Sequence, residues 1–212
     1  MAPTFSMPWR VCFEEAWAAY CHGSIPVGAA VFDVDGNLLS RARNRTADLQ
    51  PPGGLEIAGV PLAHAELNAL IKLPLGRADR RSWCLYTTVE PCPLCVGAVC
   101  MAGLKRVFFA SRDPWAGSTN LLQATPYMRW KGVIAHGPQL GFLEETAFVL
   151  HFDYHARRGH PRFRDILRVW QRAMPEAVEK AQAIRHTGAL ETLARDGAQL
   201  DDVIAELWSR VA

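Results

Sequence analysis

Two short segments constrain this chain more than any other feature. His64-Ala65-Glu66 and Pro91-Cys92-Pro93-Leu94-Cys95 hold a histidine, a carboxylate and two cysteines, and each stands where the surrounding pattern starts a helix. Cys92 and Cys95 are three positions apart, so a helix carries both on one face, within reach of a single ion. A helix N-terminus also lowers thiol pKa values and so favours the thiolates that a metal needs. A fold for this chain has to bring the two helix starts together.

His64, Cys92 and Cys95 are three donors of the kinds that zinc takes tetrahedrally, and three protein donors leave a fourth position open, the pattern of a catalytic rather than a structural ion. The expected cofactor is therefore Zn2+. Such an ion brings the pKa of a bound water from ~15.7 to about 7. Glu66, two residues from His64, can reach that water without occupying the metal, and one carboxylate can carry every proton a hydrolytic deamination moves. A lone Cys-x-x-Cys is often a structural half-site or a redox pair, and a lone histidine is usually a packed core or surface residue. The complete order, with Glu66 and Pro91 in place, selects the catalytic reading; His-x-Glu followed by Pro-Cys-x-x-Cys is the signature of zinc deaminases. Cys84 and Cys100 have no short metal-ligand spacing, and with Cys12 and Cys21 they read as small hydrophobes without a role.

Around these segments the chain alternates strand and helix patterns. A helix is expected from Trp9 to Tyr20, opened by Ser6 and Pro8 and ending near His22-Gly23. Val27–Val34 and Leu38–Ala42 flank Asp35-Gly36-Asn37, a hairpin signal. Gln50–Pro61 is rich in turn formers and reads as a loop at the rim of the site. Then follow a helix over His64–Leu73, a strand over Trp83–Thr88, a helix over Cys92–Met101 and a strand over Arg106–Ala110, a crossover spacing that argues for an α/β sheet covered by helices. Asn120–Arg129 reads as a short helix, Val133–His136 as a final strand and Leu143–Arg157 as a closing helix. Half of the 212 residues are hydrophobic, enough for one core with an appendage. Past Gly159-His160-Pro161, Ile166, Leu167, Val169 and Trp170 and then Leu200, Val203, Ile204, Leu207, Trp208 and Val211 form helical stripes, so 162–212 is expected as two or three amphipathic helices.

The formal net charge of +2 does not argue for a nucleic-acid partner. The start, Met1 to Pro8, has no secretory pattern, and no apolar run approaches the ~20 residues that cross a membrane, so a cytoplasmic protein with no membrane partner is expected. Arg157, Arg158, His160, Arg162, Arg164, Arg168 and Arg172 could contact phosphates, although a solvated face or an oligomer contact is the commoner use of such a run.

Ile25-Pro26-Val27-Gly28-Ala29-Ala30, Asn44-Arg45, His64-Ala65-Glu66, Thr88-Val89-Glu90-Pro91-Cys92-Pro93-Leu94-Cys95 and Arg106-Val107-Phe108-Phe109-Ala110 resemble the cytidine and deoxycytidylate deaminase superfamily, in the branch of tRNA adenosine, guanine and cytosine deaminases. The resemblance covers about residues 8–158. It implies a cytidine-deaminase-like three-layer α/β/α fold with a five-stranded mixed sheet, in a deaminase domain over 1–158, and commonly a homodimer; the helical C-terminal extension over 159–212, read from the stripes above, has no counterpart in that resemblance. It also places Asn44 where the family contacts base or sugar, the Ala65 amide where a ring acceptor is held, and Asp113 where relatives carry pocket residues. Asn44 and Asp113 also read simply as turn residues. Trp115, Tyr127, Phe148 and Phe152 are candidates for walling the pocket, although most such aromatics are core.

The expected function is zinc-dependent hydrolytic deamination of a nucleobase or nucleoside, a small molecule. Two features depart from the tRNA enzymes, the longer Gln50–Ala63 approach and Asp113-Pro114-Trp115-Ala116-Gly117-Ser118 after the fourth strand. The alternatives are adenosine-to-inosine deamination of tRNA, favoured by Ile25-Pro26-Val27-Gly28 and Asn44-Arg45, and an inactive binding module, disfavoured by the intact Glu66.

Overall fold

The computed structural model describes residues 4–50, 53–74, 78–159 and 161–209. Pro51 and Pro52 of the expected loop, His160 of the basic run and Val211 of the last stripe lie outside the described residues. The sheet has five strands, β1 (Gly28–Phe32), β2 (Leu38–Arg43), β3 (Cys84–Val89), β4 (Arg106–Ser111) and β5 (Ile134–His136), in the order β2-β1-β3-β4-β5. β1 pairs antiparallel with β2 and β3, while β3–β4 and β4–β5 are parallel, so the sheet is mixed.

Alternation along the strands decides which helices cover which face. Ala29, Val31, Leu85 and Val107 pack with Ala65, Ala69, Val96 and Val99 of α2 (Ala65–Ile71) and α3 (Pro93–Ala102). Their neighbours Ala30, Phe32, Tyr86 and Phe108 turn the other way, toward α1 (Met7–Cys21) and α5 (Phe142–Arg158). The result is three layers, helix on sheet on helix. Ser6 stands at the N-cap position of α1 without a side-chain capping bond, and Pro8 lies in the first turn. The expected helix over Asn120–Arg129 is instead a 3-10 turn, Thr119–Gln123, followed by α4 (Pro126–Lys131). Pro126 cannot continue a helix from Thr125, whose hydroxyl accepts from Met128 N at 3.2 Å and starts a new one.

The C-terminal segment forms four helices where two or three were expected: α6 (Phe163–Ala173), α7 (Pro175–Thr187), α8 (Ala189–Arg195) and α9 (Leu200–Ser209). Pro175 ends α6, and Gly188 and Gly197, at φ 66° and 71°, end α7 and α8 in the left-handed conformation. Ile166, Trp170, Val178, Ile184, Leu190, Val203 and Leu207 share one buried cluster with Trp17 and Tyr20 of α1 and Phe148 and Phe152 of α5. The segment is thus packed onto the sheet-covering helices. The Trp17 indole N–H donates to Ala198 O at 2.7 Å, tying the first helix to the last turn before α9. Among the described residues no helix is long and apolar enough to cross a membrane.

β1 and α1 meet at Gly28, where a Cβ would stand 2.0 Å from Cys12 O and 2.6 Å from Ala16 N, both backbone atoms of α1. Backbone cannot yield as a side-chain tip can, so Gly28→Ala is expected to cost about 3 kcal/mol. Urea unfolding checks this, and a midpoint equal to wild type would show that α1 is free to shift.

Candidate active site

His64 is the N-cap residue of α2 and Cys92 that of α3, with Cys95 in the first turn of α3. Because α2 and α3 pack side by side on one sheet face, their starts converge. His64 Nδ1 stands 3.5 Å from Cys92 Sγ and 3.4 Å from Cys95 Sγ, and the two sulfurs are 3.7 Å apart. Bond lengths of about 2.3 Å to sulfur and 2.0–2.1 Å to nitrogen give tetrahedral edges of about 3.8 Å and 3.6 Å, so the three donor atoms fit one zinc ion. Among the described residues this is the one cluster of histidine, cysteine and carboxylate groups that could hold a metal.

The cluster is prepared for a cation. A hydrogen bond from the Cys95 thiol, helped by His64, pulls Cys92 down to about 4, while the same bond and burial push Cys95 up. The pair thus favours a thiolate at Cys92 and a thiol at Cys95, and a metal would release the proton that Cys95 retains. Its contact with Cys92 raises His64.

Glu66, in the first turn of α2, is 4 % exposed, and Thr87 Oγ1 of β3 donates to its Oε1 at 3.3 Å. Burial raises its carboxyl above the usual range. Glu66, His64, Cys92, Asn44 and Asp113 line one cavity of about 170 Å³. Asn44 Oδ1 accepts from Thr46 N at 3.0 Å and Thr46 Oγ1 at 2.8 Å, so the residue closes a turn as well as facing the cavity. The Ala65 side chain is fully buried in the sheet core at the start of α2. Asp113 Oδ1 accepts from Trp115 N at 3.0 Å, and burial raises the Asp113 carboxyl.

Two anchors position the rim. Glu90 Oε1 accepts from Thr119 N at 3.2 Å and Thr119 Oγ1 at 2.5 Å, and its Oε2 accepts from Asp113 N at 3.4 Å, which folds the 113–119 loop against the motif strand. A Cβ at Gly117 would stand 2.4 Å from that carboxylate, so the loop needs glycine there. The long approach to His64 is held by Asn68, whose amide exchanges two hydrogen bonds with the Ile57 backbone at 2.8 and 3.0 Å, and by Glu56, paired with Arg45 and Lys72.

Of the four candidate aromatics, only Trp115 lines the cavity among the described residues. Tyr127 lies exposed on α4 beside Trp130, and Phe148 and Phe152 are core behind the cavity wall, packed on Trp170. Sequence reasoning missed that wall. His151 and His155 of α5 and Ile166 and Trp170 of α6 line the same cavity as His64 and Glu66. Each pair is spaced i, i+4, the signal of a shared helix face, but nothing local says that these two faces meet the metal cluster. The His151 and His155 Nε2 atoms are 2.8 Å apart, and Trp170, 2 % exposed, packs against both rings. Three residues of the basic run have partners within the fold: Arg157 lies over the Tyr20 ring and near Glu191, Arg158 donates to Gly23 O, and Arg168 pairs with Asp165.

Comparison with known proteins places the chain. The sequence model of the cytidine and deoxycytidylate deaminase zinc-binding region matches residues 7–111. A tRNA-specific adenosine deaminase of Bacillus subtilis is 32% identical over 142 residues, 64% of this chain and 79% of the relative. A cytosine deaminase of Candida albicans is 27% identical over 116 residues, 53% of this chain and 70% of the relative. A structure solved in a study of A-to-I editing by tRNA:A34 deaminases superposes with a TM-score of 0.51 at 26% identity, covering 66% of this chain and 95% of that one.

Burial holds His151 at about 4, below the ordinary 6.5, beside His155, which in turn faces Asp113. The unfolded chain therefore takes up this proton first as pH falls. Stability from the neutral ring is fully present above about 6.5 and drains away toward pH 4. Between pH 7 and pH 5 wild type is expected to lose about 2 kcal/mol more than His151→Gln, read by urea unfolding of both at each pH. Equal losses would mean that His151 is already protonated or hydrated in the folded state.

Proposed function

Because the chain belongs to the cytidine and deoxycytidylate deaminase family, with zinc as its cofactor, we propose that it hydrolyses an exocyclic amino group from a small nucleobase or nucleoside. The net reaction replaces the ring C–NH2 by C=O: water adds through oxygen, the C–N bond breaks, and ammonia leaves. His64, Cys92 and Cys95 would hold the ion. Bound there, zinc would supply a water acidified to a pKa of about 7.

The protons are the work of Glu66. It is buried in the cavity wall two residues from His64, and its raised carboxyl suits a group that must both take and give a proton. It takes one proton from the attacking water and passes it to a ring nitrogen, then takes the second from the oxygen newly bonded to the ring carbon and delivers it to the departing amine. Thr87, hydrogen-bonded to Oε1, holds the carboxyl in place. Asn44 and Asp113, on the same cavity, orient the ring by its polar edge, and Trp115 offers it a flat face.

The observation that carries the small-molecule reading is Trp170. Buried in α6 and lining the cavity, it makes the C-terminal segment a wall of the site. About 170 Å³ is the size class of a single ring system, since an engineered apolar cavity of ~150 Å³ takes benzene. The second reading, deamination of a tRNA base, is favoured by the likeness to the Bacillus subtilis relative. It predicts binding that weakens steeply with salt, which small-molecule turnover does not share.

Glu66→Ala is expected to keep its zinc and fold while ammonia release falls about 10²- to 10⁴-fold; full activity in the variant would remove Glu66 from the mechanism and reopen the reading of a binding module. His64→Ala and Cys92→Ala are expected to lose zinc, and with it stability, when purified protein is assayed for metal. Unchanged zinc content in either would exclude that residue as a ligand.

A further inference from the structure

The chemistry described above is carried by the starts of α2 and α3, whereas the ring is met by the loop after β4 that bears Asp113 and Trp115. One carboxylate stands between the two. We propose that Glu90 is a positioning residue for substrate recognition: it fixes the 113–119 loop against the strand end that leads into Cys92, and so sets how tightly the substrate is held. The inference rests on the deaminase reading and deepens it.

β3 ends at Val89, and only Glu90 and Pro91 separate it from the metal donor Cys92. That short link holds the loop at both ends. Glu90 N donates to Ser111 O at 2.8 Å, and Ser118 N donates to Pro91 O at 2.9 Å. The Glu90 side chain then gathers the two ends onto one group, taking the Thr119 hydroxyl and amide on Oε1 and the Asp113 amide on Oε2. Between them the loop turns back on itself through Gly117, whose amide donates to Asp113 O at 2.8 Å and which alone leaves room for the carboxylate.

A carboxylate suits this place and its amide does not. Both oxygens accept, whereas glutamine would turn an NH2 toward either Thr119 or the Asp113 N–H, donor against donor. Three of the roughly four acceptor positions of a carboxylate serve the loop, so Glu90 acts on a substrate through the loop. Asp113 passes the constraint on, because its carboxylate also bonds to the Trp170 indole of α6. A loop released from Glu90 therefore loses its register with both the motif strand and the far wall. His64, Glu66, Cys92 and Cys95 keep their places on α2 and α3, so the loss falls on holding the ring and raises KM with little change in kcat.

The test is ammonia release by the zinc-loaded full chain from adenine, guanine, cytosine and their nucleosides, with Glu66→Ala as blank. The best substrate is then given to Glu90→Gln, Thr119→Val and Thr119→Ser. Glu90→Gln is expected to raise KM about 10- to 100-fold, with kcat within about threefold and zinc content unchanged. Thr119→Val, which keeps the shape and the amide but loses the hydroxyl, is expected to raise KM about 10-fold. Thr119→Ser, which keeps the hydroxyl, is expected to hold the wild-type KM, and Thr119→Val is expected to add little to Glu90→Gln in the double variant. Loss of packing alone would make serine as costly as valine. That result, or an unchanged KM in Glu90→Gln and Thr119→Val, overturns the positioning role and leaves the deaminase reading standing. If Glu90→Gln does not fold, the Thr119 pair decides by the same criterion. If no compound shows Glu66-dependent turnover, the deaminase reading on small molecules fails. The inference is then decided by calorimetric titration of wild type and the two Thr119 variants with the same six compounds: binding weakened by valine and kept by serine upholds it, and equal binding or none overturns it.

Discussion

Three soft donor atoms within 3.7 Å of one another are the constraint from which the rest of the site follows. The two sulfurs and the imidazole stand together at the N-terminal ends of two helices. That arrangement demands that α2 and α3 begin at the same place. They can do so because β1 and β3 are neighbours in the sheet and both helices lie on one face of it. The parallel β3–β4 crossover through α3 supplies two of the three donors, and the β2-to-α2 connection supplies the third.

Rigidity around the cluster comes from polar groups that touch no donor atom. Glu90 holds the loop carrying Asp113 and Trp115, while Asn68 and Glu56 hold the long approach to His64. Each is a buried or half-buried group meeting backbone N–H or opposite charge, so its loss would leave a desolvated partner behind. The rim of the cavity is in this way fixed to the same strands and helices that carry His64, Glu66, Cys92 and Cys95. Its shape belongs to the fold and not to a mobile loop.

Much of this was legible before any coordinates. The succession of strands and helices and the His-x-Glu and Cys-x-x-Cys segments are local patterns, set by apolar runs bounded by turn formers and by spacing within a single turn of α3, whereas the three layers and the mixed sheet were implied by the family resemblance. Element ends moved by a residue or two. The larger misses share one cause, which is distance along the chain. His151, His155 and Trp170 reach the cavity only because α6 packs onto α5, and the stripe containing Ile166 and Trp170 looked like any amphipathic face. Phe148 and Phe152, plausible pocket aromatics by position, are instead the core that supports Trp170. Splitting of the tail into four helices was written in Pro175, Gly188 and Gly197, but their strength as breakers depended on packing.

The bond from the Trp17 indole to Ala198 O spans 181 positions, and Tyr20 reaches Asp153 across 133. Chains fold as they are made, N-terminal parts first. Four of the five strands, with His64, Glu66, Cys92 and Cys95, precede residue 112, whereas Ile166 and Trp170 of the cavity wall wait for the last fifty residues to be synthesised and docked. One side of the cavity is thus synthesised well before Ile166 and Trp170 can close the other. The most distant contacts, which close slowly because they span so much chain, fasten α5 and the turn before α9 to α1.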